Sequence, residues 1–369
     1  MFSIEKSNII SELQSLSNVA DKKQTLPVLS NVLIRCNSDN VQLKSTDLEV
    51  ELEVTLTSPT ITKPAEITIP AKKISDIVKE LPEGPLSFEL SDDATKMVVK
   101  SSSGKYNLST IPAADFPDFD IEASENFYEV ESEGLLSLIG KTSFAMANQD
   151  WRHYLNGCYI EKSLNALKMV ATDAHRLAIY QLVIEGEGEF KGIIPRKTVI
   201  EIMRILPKNE TIKFYLNTSN IVFMSKNFTF KSKLIDGNYP NYNQVVPSGD
   251  GIEIRANRKE LLDSLSRVSV LSNDKFKGVK LTANSSYLDV TAHNPEQESA
   301  EEKLELKSSV SGFDVAFNVN YLREILSTIE DEDISIVSYG PDKSAAILSS
   351  DQNLSVSYTH LTLPTSTHV

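Results

Sequence analysis

The chain has 369 residues, room for two or three ordinary domains, and hydrophobic and charged fractions of 40% and 24% that suit a soluble globular protein. No apolar run approaches the roughly 20 residues that span a bilayer, Met1 to Ile10 lacks the basic-then-apolar order of a signal peptide, and Cys36 and Cys158 fall short of a zinc set, so a cytoplasmic protein is expected. A formal net charge of −14 argues on its own against a nucleic-acid partner, although a global sum does not say where the charge lies.

In chain order, Phe2-Ser-Ile-Glu alternates like a short strand and leads into Ile9, Ile10, Leu13 and Leu16, a stripe that predicts a helix over 6–20. Val32-Leu-Ile, Val41-Gln-Leu-Lys and Leu48-Glu-Val-Glu-Leu-Glu-Val then carry apolar residues at every second position, the period of half-buried strands. The segment from Ile69 to Pro82 places Ile74, Ile77, Val78 and Leu81 on one face of a helix over 71–80 that a proline ends.

The pattern then recurs. Tyr128-Glu-Val-Glu leads into Leu135, Leu136 and Ile139, and predicts a helix over 132–148 at an offset of 126 from the first. Thr172-Asp173 echoes Thr46-Asp47. The segment from Ile194 to Pro207 repeats the one from Ile69 at an offset of 125, with a helix over 195–206 carrying Val199, Ile202, Met203 and Leu206. Tyr239-Pro240 echoes Phe116-Pro117. Ile252-Glu-Ile-Arg opens a third copy, with helices over 258–271 and 320–330; Leu322, Ile325, Leu326 and Ile329 keep the stripe. The chain therefore reads as α+β, three repeated domains over 1–122, 123–248 and 249–369, each with two helices and antiparallel strands.

The six predicted helices hold 12 basic and 9 acidic residues, a surplus of +3 inside a chain of −14. A surface built from them would face phosphate while the strands repel it. Enzyme signatures are scarce: there is no Walker-type phosphate loop, no Gly-x-Ser-x-Gly elbow and no His-Glu-x-x-His. The acidic run Glu330 to Asp333 lacks the glycine and alternating ligands of a calcium loop and reads as a solvated helix end. No metal or cofactor is expected. Asp173 and His175 are the one pair that suggests acid–base work, and the first repeat reads Thr46-Asp-Leu-Glu at that place, with no histidine. A hydrolase using that pair and a β-rich repeat protein without DNA are the rival readings.

Asn148-Gln-Asp-Trp-Arg-His-Tyr-Leu-Asn-Gly157, Val170-Ala-Thr-Asp-Ala-His-Arg-Leu-Ala178 and Ile194-Pro-Arg-Lys197 resemble the β sliding clamps, the β subunits of bacterial DNA polymerase III. So do Leu108 to Pro117, Leu271 to Gly278 and His293 to Glu298. The resemblance implies the DNA clamp fold: a head-to-tail dimeric ring of six domains, helices inside and sheets outside, without a catalytic site. It further implies a processivity factor on double-stranded DNA of any sequence. The partners it implies are the polymerase III catalytic subunit, the clamp loader, mismatch-repair proteins and other carriers of a clamp-binding motif, with no membrane. By position, Lys23, Lys72, Gln149, His153, Tyr154, Arg196 and Lys197 match DNA-facing residues, with His153 in place of a commoner aromatic. Leu155, Thr172, His175, Arg176, Leu177, Pro240 and Val245 match the partner-peptide pocket, and Gln244 stands where an arginine is common. Tyr106 and Leu108 are expected to meet Val270 and Leu271 of a second copy.

The last stretch, Val356-Ser-Tyr-Thr-His-Leu-Thr-Leu-Pro-Thr365 onward, lacks the family's Met-Pro turn and resembles one reading frame of a transposon sequencing adapter. Residues 356–369 are expected to be a non-native tail that leaves one wall of the pocket missing and weakens peptide binding.

Overall fold

A computed structural model describes residues 1–20, 26–121, 124, 126–340 and 345–349, and the backbone of 354–358. The first repeat contains β1 (Phe2–Glu5), α1 (Ile10–Val19), β2 (Asn31–Cys36), β3 (Val41–Thr46), β4 (Val50–Thr55), β5 (Thr60–Ile61), β6 (Ala65–Pro70), α2 (Ala71–Glu80), β7 (Pro85–Leu90), β8 (Lys96–Lys100) and β9 (Lys105–Ser109). The second contains β10 (Tyr128–Glu131), α3 (Ser132–Gly140), β11 (Gly157–Ser163), β12 (Ala166–Thr172), β13 (Arg176–Val183), β14 (Phe190–Pro195), α4 (Arg196–Ile205), β15 (Thr211–Leu216), β16 (Asn220–Met224) and β17 (Phe228–Lys233). The third contains β18 (Ile252–Asn257), α5 (Arg258–Val268), β19 (Gly278–Ala283), β20 (Tyr287–His293), β21 (Ser299–Glu305), β22 (Phe313–Asn318), α6 (Val319–Thr328), β23 (Asp333–Ser338), β24 (Ala345–Leu348) and β25 (Leu354–Tyr358).

Among the described residues, six α-helices form where the stripes lie. The second and fourth match within about a residue, while the first, third and fifth are shorter than the apolar pattern and continue as separate 3-10 turns at 6–8, 143–145 and 269–271. In the third helix the cause is local: Gly140 is a weak helix former, and the Thr142 hydroxyl donates back to Leu138 O at 2.6 Å. The third repeat caps its helices from the side chain: Asn257 Oδ1 accepts from Glu260 N and Asn318 Oδ1 from Asn320 N, each at 3.0 Å.

The strands join across the repeats. The chain forms two compact units, one of Met1–Leu135 with Lys197–Ile235, the other of Leu136–Arg196 with Asp236–Val369. The first unit holds a five-stranded sheet, β5-β1-β7-β8-β9, and an eight-stranded sheet, β10-β15-β16-β17-β4-β3-β2-β6, in which strands of the second repeat continue those of the first. The second unit holds the eight-stranded sheet β14-β11-β12-β13-β25-β24-β23-β18, which joins the second and third repeats, and the four-stranded sheet β21-β20-β19-β22. The strand pairings among the described residues are antiparallel, including the two joins, β17 on β4 and β25 on β13.

Two helix pairs bury their apolar stripes, one in each unit. In the first unit α1 packs on α2, and Leu13, Leu16, Val19, Ile74 and Val78 are buried; in the second, α5 packs on α6, burying Leu261, Leu265, Leu322, Ile325 and Leu326. Burial of a leucine side chain contributes on the order of 2 kcal/mol, so the stripe carries the stability of each layer. The expected tail boundary at Val356 falls inside β25, which pairs through Tyr358 with Arg176; residues 359–369 lie outside the described part.

Candidate partner cavity and polyanion surface

The hairpin turn between β12 and β13 is built by Thr172 and Asp173. The Thr172 hydroxyl donates to Arg176 O (2.6 Å) and accepts from Ala174 N (3.1 Å), while Asp173 Oδ1 accepts the backbone N–H groups of His175 and Arg176 at 2.9 and 3.0 Å. Ala174 sits at φ 74°, a left-handed conformation that this bonding holds. The turn between β3 and β4 is the same device: Thr46 Oγ1 bonds Val50 O (2.7 Å), Asp47 Oδ1 accepts from Glu49 and Val50, and Leu48 has φ 73°. The recurring Thr-Asp is thus a turn former, and one Asp173 oxygen is occupied by two backbone donors. That counts against the acid–base reading.

Beside this turn the loop from Ala147 to Asn156 is closed by its own bonds. Asp150 accepts from Arg152 N (2.8 Å), Nε (3.0 Å) and Nη2 (2.9 Å), and Asn156 brackets Asp150 N and O at 2.9 and 2.8 Å. The Arg152 guanidinium and backbone N–H hold the Asp150 carboxyl down at about 2. On the far side Tyr159 stacks on Tyr239 with ring centroids 4.7 Å apart, and the Tyr242 hydroxyl donates to Glu161. Burial, with Glu161 adding to it, pushes the Tyr159 hydroxyl up to about 12; burial likewise raises Tyr239 and Tyr242.

Between these three segments lies an apolar cleft of about 270 Å³, lined by Arg152, Tyr154, Leu155, Thr172, Ala174, His175, Arg176, Leu177, Pro240, Asn241, Tyr242 and Val245. All seven residues expected at a peptide pocket line it. Leu155 and Leu177 are buried walls, and Val245 is half exposed at the rim. Tyr154, expected to face DNA, also lines it. Sequence reasoning missed Arg152, Ala174, Asn241 and Tyr242, although Arg152 stood inside a quoted motif and Tyr242 follows Tyr239 by three residues.

The other expected DNA-facing residues belong to several elements of the two units. Lys23 lies outside the described residues. Gln149 (φ 58°) and His153 are exposed on the Ala147–Asn156 loop, and Arg196 reaches Ala147 O at 3.4 Å. Lys72 is exposed beside Asp76, at 3.1 Å. The Lys197 ammonium donates to Asp47 Oδ2 at 2.6 Å and Val19 O at 2.9 Å, both within its own unit. Tyr106 is half-buried on β9, Leu108 is buried within its own sheet, Val270 is exposed and Leu271 half-buried.

No helix among the described residues is long and apolar enough to cross a membrane. Three family profiles match in sequence: the N-terminal domain of the DNA polymerase III beta subunit over residues 1–120, the central domain over 129–241 and the C-terminal domain over 243–364. A beta sliding clamp of Pseudomonas putida is 38% identical over 94% of this chain and 95% of its own, and one of Escherichia coli is 36% identical over 91% and 92%. The crystal structure of a sliding clamp from Pseudomonas aeruginosa bound to griselimycin superposes with a TM-score of 0.93 at 35% identity, covering 98% of this chain and 99% of that one.

Proposed function

The chain belongs to the DNA polymerase III β-subunit family, the sliding clamps of DNA replication, and on that footing we propose that two copies close head to tail around duplex DNA in the cytoplasm. The ring tethers the polymerase catalytic subunit, the clamp loader and repair proteins through the Leu155–Leu177–Val245 cleft, and has no chemistry of its own. The three repeats, over 1–122, 123–248 and 249–369, act as its domains.

One observation carries the ring. Apart from the two-residue β5 at one edge of the first repeat, each repeat consists of two four-stranded runs, and the end strand of one run pairs with the end strand of the preceding repeat's other run: β17 on β4, then β25 on β13. Two strand edges of that kind are left over, β9 in the first repeat and β21 in the third. A head-to-tail contact of β9 with β21 of a second copy applies the same rule twice and closes after two chains.

The rule also sets the register. Phe2, Phe88, Val99 and Tyr106 lie opposite one another in series, as do Tyr128, Phe214, Phe223 and Phe230, so Tyr106 takes the place of Phe230 and Lys105 that of Thr229. The series Thr68, Leu33, Lys44, Glu53 and Ala316, Lys280, Thr291, Glu301 likewise put Glu301 in the place of Glu53. Thr229 faces Glu53, so Lys105 of one copy faces Glu301 of the other. Val270 stands where Phe144 stands one repeat earlier, and Phe144 lines a cleft against Asn320, Glu324 and Ser327 of α6.

The test is the mass in solution. Light scattering should give a dimer for the parent chain and a monomer for Val270→Ala with Leu271→Ala at micromolar concentration. A double variant that stays dimeric on dilution removes the heterologous contact. Griselimycin, the ligand of the Pseudomonas aeruginosa clamp, is the probe for the cleft and is expected to be weakened by Val245→Asp.

A further inference from the structure

Arg176 is 7% exposed, although its stem lines the partner cleft. A guanidinium that far from water needs its donors met, since an unmatched buried charge is strongly unfavourable. Its Nε donates to Asp173 Oδ2 at 3.2 Å, Nη2 to Phe144 O at 2.7 Å, and Nη1 to Glu324 Oε2 at 2.5 Å. Two aromatic rings flank it, Tyr321 with its centroid 4.2 Å from Cζ and Phe144 at 5.3 Å. Glu324 and Tyr321 belong to α6 and do not line the cleft; they line the neighbouring groove, whose wall Arg152, His175 and Arg176 share with it. Five of the twelve residues lining the cleft come from the segment Thr172–Leu177 that Arg176 anchors.

We propose that Glu324, assisted by Tyr321, is a positioning residue for the partner cleft: from α6, outside the cleft, it holds the Arg176 guanidinium away from the ligand space and thereby fixes the Thr172–Leu177 wall. The inference rests on the reading of the cleft as the partner site. With Glu324 removed, Arg176 keeps the Asp173 carboxylate and one carbonyl, but its remaining tie to α6 is the Tyr321 ring, which does not fix the guanidinium's direction as a charged hydrogen bond does. The charged head then samples positions over the apolar wall, and a ligand must displace it before binding. Linkage also runs the other way: a ligand that needs the ordered wall tightens the contact with α6.

The experiment is calorimetric titration of the full chain with griselimycin. Glu324→Ala should weaken binding by roughly tenfold, the scale of one lost charge-assisted contact; Glu324→Asp should recover part of it. Glu324 is 52% exposed at its side chain, so the melting temperature should move little while the affinity moves clearly. In an Arg176→Met background, which keeps an apolar stem without the charge, Glu324→Ala should have no further effect, because the two residues act as one. Equal affinities for the parent chain and Glu324→Ala overturn the inference, as does an undiminished effect in the Met background. Val245→Asp separates the two levels: if it leaves griselimycin binding unchanged, the cleft is not the site and the inference falls with it. If Val245→Asp weakens binding and Glu324→Ala does not, the inference alone fails.

Discussion

At the scale of residues, the Asp150–Arg152 pair gives the loop beside the cleft its own pH dependence. The Asp150 carboxyl is lowered from 3.8 to about 2 by the donors of Arg152, so its contribution is present above the unfolded value and is lost as pH falls through the folded one. The loop should loosen between about pH 4 and pH 2. Trp151, the only tryptophan in the chain, is 82% exposed and stands beside the Arg152 guanidinium, 5.7 Å from the ring centroid. Its fluorescence should change across that window, and Asp150→Asn should abolish the change; a parent-like acid transition in Asp150→Asn would mean that another group is reporting.

The residue scale also shows what the sequence made legible. The seven cleft residues taken from the family resemblance line one cavity, and the Thr-Asp repeat marked two equivalent turns. Ala174 was not legible because its place in the wall follows from a left-handed backbone that only the finished turn imposes. The Lys197–Asp47 ion pair was not legible for a similar reason: residue type announces a cation, and only the packed unit reveals the Asp47 carboxylate beside it.

At the scale of elements, periodicity located the six α-helices seen among the described residues, since a stripe three to four residues apart states directly which face is buried. The joins between repeats were invisible. Alternation tells which face of a strand is covered and says nothing about its lateral neighbour, so β17 on β4 and β25 on β13 had to be seen. Lys72 holds in the first repeat the place that Lys197, whose ammonium bonds the Asp47 turn, holds in the second.

The edge register gives an electrostatic test at this scale. Lys105→Glu sets two carboxylates opposite each other at both junctions of the ring, and a directly opposed like pair costs up to about 1 kcal/mol. The dimer should weaken by roughly tenfold over two junctions, and Glu301→Lys on the same chain should restore it. Sedimentation equilibrium of the two single variants and the double variant measures this. A double variant no tighter than the weaker single one would mean that the two residues are not opposed.

At the scale of the whole molecule, the charge that first argued against DNA is what the account needs. The six predicted helix segments carry +3 in a chain of −14, so in the proposed ring a hole lined by them would be the least repulsive place for a polyanion. Arg196, whose guanidinium makes only a long 3.4 Å contact with Ala147 O among the bonds described, is the member of the proposed Arg196–Lys197 pair on which charge reversal tests the DNA contact. Arg196→Glu should lower retention on DNA without altering the dimer. Binding to short linear duplex should be weak and fall steeply with salt.

Encirclement itself is tested most directly by loading the chain with its clamp loader onto a nicked circular plasmid, isolating the complex at moderate salt, and cutting the plasmid once with a restriction enzyme. A ring held by topology stays on the circle and runs off the linear product, so retention should collapse on cutting. Retention that is the same on circular and linear DNA would mean that the protein is held by contacts alone and is not a ring around the duplex.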